Sequence, residues 1–192
     1  MSMMPSVDNS LNEIKKLNNN YVKCVNNNKN LGQSFSIIKG IELSSYDTIV
    51  TLDGDLQNDP KDIMSLVNTF FNEKMCLVGG IRNKRKDSFF KIFASKFANK
   101  IRMIILNDNC NDTGCSLKVF SKSIFLKIPK FNGIHRFLPA LFKSFNCKIK
   151  FINVSHRPRI HGSSKYGNIL RLFQGIRDIF KVMLIIRKIK AR

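Results

Sequence analysis

The residues with the clearest chemical potential lie in the stretch TLDGDLQNDP, residues 51–60. Asp53, Asp55 and Gln57 stand at positions i, i+2 and i+4, so an extended chain would direct all three side chains to one face. Carboxylate and amide oxygens are hard ligands that suit Mg²⁺ or Mn²⁺, and such an ion would neutralise a diphosphate. The stretch also suits a capped turn in which Asp59 begins a helix, and both interpretations stay open on these residues alone.

A pair of hydrolytic carboxylates is the weaker interpretation of Asp53 and Asp55. Glycoside hydrolysis needs two carboxyl groups on opposite sides of a bond, roughly 5 to 9 Å apart. Neighbours at i and i+2 on one face do not flank a bond, whereas a metal site uses that spacing.

The elements around these residues predict an α/β fold. A β-branched run at 47–52 predicts a buried strand, and Pro60 can open a helix. Predicted helices cover 11–19, 32–43, 61–71, 88–105, 135–145 and 167–192, and predicted strands cover 21–25, 47–52, 75–78, 115–120 and 148–154. This alternation predicts a doubly wound, mainly parallel sheet with helices on both faces, and ligands bind at the carboxyl ends of such strands. No strand is predicted before the first helix.

Composition restricts the partners and the compartment. Lys and Arg number 33 against 13 Asp and Glu, a formal charge of +20, which predicts an anionic partner: nucleic acid, an anionic membrane surface or a phosphorylated substrate. The five cysteines form no CxxC pair, which favours reduced thiols over disulfides or a zinc site. The first residues, MSMMPSVDNS, lack the charged start and apolar core of a signal peptide, and no apolar run approaches the roughly 20 residues needed to span a bilayer, so we expect a soluble or peripheral protein facing the cytoplasm.

The C-terminal segment 167–192 predicts a basic amphipathic helix, because apolar residues recur at helical spacing and the other faces carry Lys and Arg. Such a helix suits an anionic membrane interface, and a core helix with a solvated face is the alternative. We therefore expect one domain over 1–165 and a membrane-interfacial helix over 166–192.

Several blocks accompany LDGDLQNDP (52–60). They are NLGQ (30–33), KG (39–40), VGGIR (78–82), NDTGCSLKVF (111–120), GIHRFLPAL (133–141) and HRPRIHGSSKYG (156–167). In this order and at this spacing the chain, from about Val7, resembles glycosyltransferase family 2, which has the GT-A fold. Within that family it is similar to polyprenyl-phosphate glycosyltransferases of the dolichol-phosphate mannose synthase type.

The resemblance implies a set of site residues. A divalent cation, Mg²⁺ or Mn²⁺, would be held on the diphosphate of a UDP- or GDP-sugar by Asp53, Asp55 and Gln57. Catalytic roles fall to Asp55, Arg82 and Asp112. Binding of the nucleotide-sugar falls to Asp8, Asn30, Gly32, Lys39, Asp53 and Arg82. Binding of the acceptor phosphate falls to Arg157, Arg159, Ser163, Ser164 and Lys165.

Simpler interpretations of several of these residues stay open. Arg82 also suits a surface arginine in a basic loop, and Asp112 suits a loop aspartate that bonds its own backbone. His135 and Arg136 border the acceptor side in the family, and a structural role fits them equally well.

The resemblance also implies the reaction. An anionic acceptor phosphate, on dolichyl or undecaprenyl lipid, would attack the anomeric carbon with inversion at the cytoplasmic face of a membrane, as a step of cell-envelope biogenesis. Nucleic acid is not an expected partner, because no helix-turn-helix, zinc-finger or RNA-binding aromatic pattern occurs.

The chain departs from the family at its start. VDNS (7–10) stands where members have Asp-Asp-Gly-Ser, and the family's first strand has no counterpart. The expectation is therefore a fragment, a chain that pairs with a second copy or a complementing N-terminal fragment, or an inactive member that binds phosphate or lipid without turnover.

Overall fold

The computed structural model describes residues 2–3, 10–16, 19–27, 29–82, 99–157 and 168–191. The strands in these ranges are β1 (Ser2–Met3), β2 (Val25–Asn26), β3 (Thr48–Thr51), β4 (Leu77–Arg82), β5 (Lys118–Ser121) and β6 (Ile149–Val154). The helices are α1 (Ser10–Lys16), α2 (Gly32–Glu42), α3 (Asp62–Asn72), α4 (described over 99–106), α5 (Lys122–Lys127), α6 (Leu138–Lys143) and α7 (Asn168–Lys190). A 3₁₀ turn, Ile134–Arg136, precedes α6.

The main sheet has the strand order β3-β5-β4-β6. β4 and β6 are parallel and pair from Leu77 with Ile149 to Arg82 with Val154. β5 is antiparallel to both of its neighbours, β3 and β4. β3, β4 and β6 therefore share one direction, and their carboxyl ends meet the start of β5 at one edge. The predicted α/β fold is confirmed, with a mixed sheet.

A second sheet, near the start of the chain, has two strands of two residues each. β1 pairs with β2 in parallel, Ser2 with Val25 and Met3 with Asn26. The sequence does not predict β1, because a strand of two residues is too short to show a pattern of alternating apolar residues. Within the described residues β3 pairs only with β5. Pairing with a second copy or with a complementing N-terminal fragment stays a prediction.

Helices cover both faces of the main sheet, as the sequence predicts. Successive residues of a strand point to opposite faces. Leu77 and Phe120 face a core shared with α2, α5, α6 and α7. Their neighbours Val78 and Val119 face a second core with Leu66 of α3. All five side chains are fully buried, and each such burial contributes about 1.5–3 kcal/mol.

The C-terminal helix α7 packs its inner face on the first of these cores through Val182, which is fully buried. The carboxylate of Asp178 accepts a hydrogen bond from Arg136 Nη2 at 2.6 Å, which joins α7 to the turn before α6. Division of the chain into units of 1–165 and 166–192 stays a prediction. Over the described residues, no helix has both the length and the apolarity that a bilayer crossing requires.

Two predicted elements differ from the structure, and one observed helix has no predicted counterpart. The helix expected over 135–145 is divided into a 3₁₀ turn and α6, because Phe137 between them has the non-helical angles φ −113° and ψ 8°. The strand expected over 21–25 is shortened to β2. α5 is not predicted, since six residues are too few to show a helical period. The other predicted elements overlap observed ones, and part of the helix expected over 88–105 lies outside the described residues.

Candidate functional site

One edge of the main sheet collects most of the predicted site residues that the structure describes. The carboxyl ends of β3, β4 and β6 lie there with the amino end of β5. Asp53 follows β3, Arg82 ends β4, Asp112 lies in the loop before β5, and Arg157 follows β6. In sheets of this class, ligands bind in crevices outside the carboxyl ends of the strands.

Asp53 and Asp55 are half-buried in the loop after β3. Asp53 Oδ1 accepts a hydrogen bond from Gln33 Nε2 at 3.1 Å. Asp55 Oδ1 accepts the backbone N–H of Gln57 at 3.2 Å. Gln33, in the first turn of α2, therefore belongs to the site, although the sequence marks it only as part of the NLGQ block.

The loop 52–58 does not leave β3 in extended form. Residues 54–55 form a turn, and Leu56 has a positive φ of 62°. The spacing argument that places Asp53, Asp55 and Gln57 on one face is therefore wrong, because it requires an extended backbone. Their binding of one metal ion stays a prediction.

Arg82 and Asp112 form a two-pronged ion pair. Arg82 Nε donates to Asp112 Oδ2 and Nη2 donates to Oδ1, both at 2.7 Å. The two side chains are only 13% and 8% exposed. Gly114 lies against them, since a Cβ at this position would stand 2.8 Å from Arg82 Nη2. The structure therefore brings together two residues that the sequence selects separately, and Arg82 is not a surface arginine.

Lys118, the first residue of β5, is a buried cation that the sequence analysis does not assign. Its Nζ donates a hydrogen bond to the Cys115 carbonyl. Burial lowers the pKa of Lys118, and the carboxylates of Asp112 and Asp53 are among the groups that oppose this shift. A lysine inside the apolar run before Val119 is the signal that could have marked it.

His135 is held in a buried network with α2. Its Nδ1 lies 2.9 Å from Ser34 Oγ. Ser34 Oγ also accepts the backbone N–H of Gly133 at 2.7 Å, so one hydroxyl joins His135 to the turn before α6. Burial, with the charges of Arg136 and Lys118, lowers the pKa of His135 to about 4. His135 is therefore neutral at pH 7.

Arg157 contacts the loop after β3. Its backbone N–H donates to the Gln57 carbonyl at 2.9 Å, and its own carbonyl accepts from Gln57 Nε2 at 3.4 Å. Its guanidinium pairs with Asp59. The backbone amide of Lys61 and the guanidinium of Arg157 hold the pKa of Asp59 below its usual range. Asp59 Oδ1 accepts the Lys61 N–H at 3.1 Å, so the turn before α3 that the sequence also suggests is formed.

The remaining predicted residues lie near α2 or outside the described ranges. Asn30 Oδ1 accepts the Gly32 N–H at 3.1 Å. Lys39 Nζ donates to Asn27 Oδ1 at 3.3 Å, beside the end of β2. The residues outside the described ranges are Asp8, Arg159, Ser163, Ser164 and Lys165.

The donor set after β3 fits a hard divalent cation by its chemistry. It offers two carboxylates and one carboxamide oxygen. In the part of the chain that the structure describes, no three His, Cys, Asp or Glu side chains form a metal-binding group. Sites for Mg²⁺ commonly take one or two protein carboxylates and complete the coordination with phosphate oxygens and water. The residues thus suit a cation shared with a bound diphosphate.

Comparison with known proteins assigns the sequence to a family. The family model described as "Glycosyl transferase family 2" matches residues 5–128, more than half of the chain. The chain belongs to glycosyl transferase family 2. The resemblance that the motif blocks predict is confirmed.

Two relatives of this family 2 chain have names that contain a polyprenyl phosphate. A dodecaprenyl-phosphate galacturonate synthase of Rhizobium johnstonii is 39% identical over 167 residues, which are 85% of this chain and 49% of that protein. An undecaprenyl-phosphate 4-deoxy-4-formamido-L-arabinose transferase of Proteus mirabilis is 33% identical over 177 residues, which are 91% of this chain and 54% of that protein. The chain spans about half the length of these relatives.

A solved structure supports the fold of this family 2 chain. Glucosyl-3-phosphoglycerate synthase from Mycobacterium tuberculosis, in complex with Mn²⁺, UDP and glucosyl-3-phosphoglycerate, matches with a TM-score of 0.67 and 14% identity. The match covers 95% of this chain and 66% of that one. The predicted GT-A-like architecture is confirmed.

Removal of Asp112 should destabilise the protein, because Arg82 would remain buried without its carboxylate. We expect Asp112→Ala to lower the free energy of unfolding by about 3 kcal/mol. The double variant Arg82→Leu with Asp112→Leu removes both charges and should cost less than the single variant. Chemical denaturation of the three proteins measures this order, and a double variant that is less stable than Asp112→Ala would contradict it.

His135 should lower stability as the solution becomes acidic. Its pKa is about 4 in the folded chain and near its ordinary value of about 6.5 in the unfolded chain. Between these values the unfolded state binds more protons, so the free energy of unfolding falls as the pH falls. In His135→Asn, whose Oδ1 can accept from Ser34, this part of the pH dependence should disappear. Thermal unfolding from about pH 7 to about pH 4.5 tests it, and equal slopes in both proteins would contradict the assignment.

Proposed function

We propose that this chain moves a sugar from a nucleotide-sugar to a polyprenyl phosphate, with inversion at the anomeric carbon. The observation that carries the proposal is the meeting of the 52–58 loop and the Arg82–Asp112 pair at one sheet edge. It occurs in a family 2 chain that is 39% identical to a dodecaprenyl-phosphate galacturonate synthase. The lipids in the names of the relatives support a polyprenyl phosphate as the acceptor.

The donor end of the proposed site is the loop after β3. Asp53, Asp55 and Gln57 would hold Mg²⁺ or Mn²⁺ with the diphosphate of a UDP- or GDP-sugar. When bound, the cation would neutralise charge that develops on the leaving nucleoside diphosphate. The Mn²⁺ and UDP in the structure of the M. tuberculosis synthase support this choice. Asp112 would keep the guanidinium of Arg82 in one orientation on the same edge.

The acceptor end needs no strong protein base. A phosphate monoester is anionic at neutral pH, so its oxygen can form the bond to the anomeric carbon while the bond from that carbon to the diphosphate oxygen breaks. The electron pair of the broken bond leaves with the nucleoside diphosphate. His135, with a pKa of about 4, would contribute a hydrogen bond and no charge. Positioning and electrostatics would carry the rate.

The acceptor phosphate is proposed to lie beside the segment after β6. Arg157 begins this segment, and its guanidinium is 53% exposed beside Asp59. The segment continues with further candidate phosphate ligands, Arg159, Ser163, Ser164 and Lys165. Arginine and lysine with hydroxyl donors suit phosphate oxygens.

We place the protein at the cytoplasmic face of a membrane, through the outer face of α7. Ile176, Phe180 and Leu184 recur every four residues on this helix and are 46%, 56% and 54% exposed. Arg177 and Lys188 are exposed beside them. An apolar stripe with neighbouring cations suits the interface of an anionic bilayer, where the acceptor lipid would reside.

Asp55→Ala should abolish metal-dependent nucleotide binding while the fold stays intact. Isothermal titration with UDP and with GDP, in the presence and absence of Mn²⁺, measures the effect. Glu73→Gln is the matched control, because it removes a carboxylate paired with Lys150 on the surface. Unchanged binding by Asp55→Ala would remove Asp55 from the metal site. A folded wild-type chain that binds neither nucleotide would favour an inactive family member that binds phosphate or lipid without turnover.

Phe180→Ser should weaken binding to vesicles that contain anionic phospholipid by about tenfold, because a large apolar side chain no longer enters the interface. Phe71→Ser is the control, since Phe71 on α3 is exposed to a similar extent, 58% against 56%. Vesicle co-sedimentation measures both. Equal loss in the two variants would contradict the role of α7, and salt-dependent binding to duplex DNA without vesicle binding would favour a nucleic-acid partner.

A further inference from the structure

Ser116 contacts the loop after β3 at several points. Its Oγ accepts the backbone N–H of Asp53 at 3.1 Å and donates to Asn58 Oδ1 at 2.9 Å. Its carbonyl accepts from Thr51 Oγ1 at 2.7 Å. One residue of the loop before β5 therefore holds the last residue of β3 and both ends of the segment 53–58.

The segment that Ser116 holds has a backbone that needs support. Leu56 has a φ of 62°, in a region that residues with a Cβ adopt at a cost. A short loop with such a residue samples other conformations unless its surroundings fix it.

Asn58 fixes the far end of this segment. It is 5% exposed and forms an isolated β-bridge with His156. Its Nδ2 lies 4.0 Å from Cys115 Sγ. Ser116 Oγ also donates to the carboxamide oxygen of Asn58. Asn58 therefore links the end of the segment 53–58 to the loop before β5 and to the segment after β6, and Ser116 connects the two ends of this segment.

We propose that Ser116 is a positioning residue for the proposed metal and diphosphate site. By holding Asp53 and Asn58 with one hydroxyl, Ser116 keeps Asp53, Asp55 and Gln57 in a single arrangement before any ligand binds. The proposal rests on the proposed function, because the ligand of this loop is taken to be a divalent cation with a nucleoside diphosphate. Ser116 itself touches neither.

A serine hydroxyl has the hydrogen-bonding groups that this role requires. It supplies one acceptor site for the Asp53 N–H and one donor for Asn58 Oδ1. In Ser116→Ala both partners lose their hydrogen bond, whereas Ser116→Thr keeps the hydroxyl. Partners of metal ligands that lie outside the coordination shell commonly affect metal affinity by 10-fold or more.

Amide hydrogen exchange of the metal-free protein tests the hold on the loop. We expect the Asp53 amide to exchange on the order of tenfold faster in Ser116→Ala than in wild type, with Ser116→Thr near wild type. Ser144→Ala is the matched control, since Ser144 is also buried and its hydroxyl donates to the carbonyl of Leu141, away from the loop. Equal exchange in Ser116→Ala and wild type would overturn the proposal.

Titration of Mn²⁺ in the presence of UDP or GDP tests the positioning role. We expect Ser116→Ala to bind Mn²⁺ about tenfold more weakly than wild type. Ser116→Thr and Ser144→Ala should bind Mn²⁺ with an affinity near that of wild type. Faster exchange with unchanged Mn²⁺ affinity would overturn the positioning role and leave Ser116 purely structural. A folded wild-type protein without metal-dependent nucleotide binding would overturn the proposed function and this inference with it. Binding by wild type that Ser116→Ala retains in full would overturn the inference alone.

Discussion

The antiparallel insertion of β5 between β3 and β4 is the constraint on which the site depends. In a fully parallel sheet the loop before a strand lies at the opposite edge from the loops that follow its neighbours. Because β5 runs against both neighbours, the loop 111–117 emerges beside the ends of β3 and β4. Asp112 thereby reaches Arg82, and Ser116 reaches Asp53.

Charge balance follows from the same arrangement. Lys118 is the residue of β5 that pairs with Thr51 on one side and Gly79 on the other, so its buried ammonium stands at the centre of the sheet edge. The carboxylates of Asp112 and Asp53 are among the groups that oppose the lowering of the Lys118 pKa by burial, while Arg82 pairs with Asp112 directly. The carboxylates of Asp53 and Asp112 therefore lie near two basic residues, Arg82 and Lys118, in a chain whose net charge is +20.

Local sequence signals predicted the elements that carry the site. The β-branched run at 47–52 and Pro60 located β3 and α3 closely, because a buried strand and a helix start have strong short-range patterns. The family blocks then selected Arg82 and Asp112 as separate candidates. Their contact with each other is tertiary, across 30 positions, and no spacing rule along the chain contains it.

The predictions from sequence that differ from the structure also concern tertiary contacts. The i, i+2, i+4 spacing of Asp53, Asp55 and Gln57 places them on one face only if the chain leaves β3 extended. The backbone instead turns at 54–55, and the Asp53 N–H is bonded to Ser116, more than 60 positions away. Lys118 was missed because a lysine in a strand pattern is normally taken as its solvent-facing position. Here the strand is central and buried on both faces, which only the strand order reveals.

The ion pair between Asp178 and Arg136 joins α7 to the turn before α6. Asp178 is almost fully buried, so lifting α7 from the core would strip that carboxylate of its cation, a costly change. Arg136 is the immediate neighbour of His135, and His135 is bonded to α2 through Ser34. The helix α7 is therefore joined to the turn before α6 by this ion pair and, through His135 and Ser34, to α2.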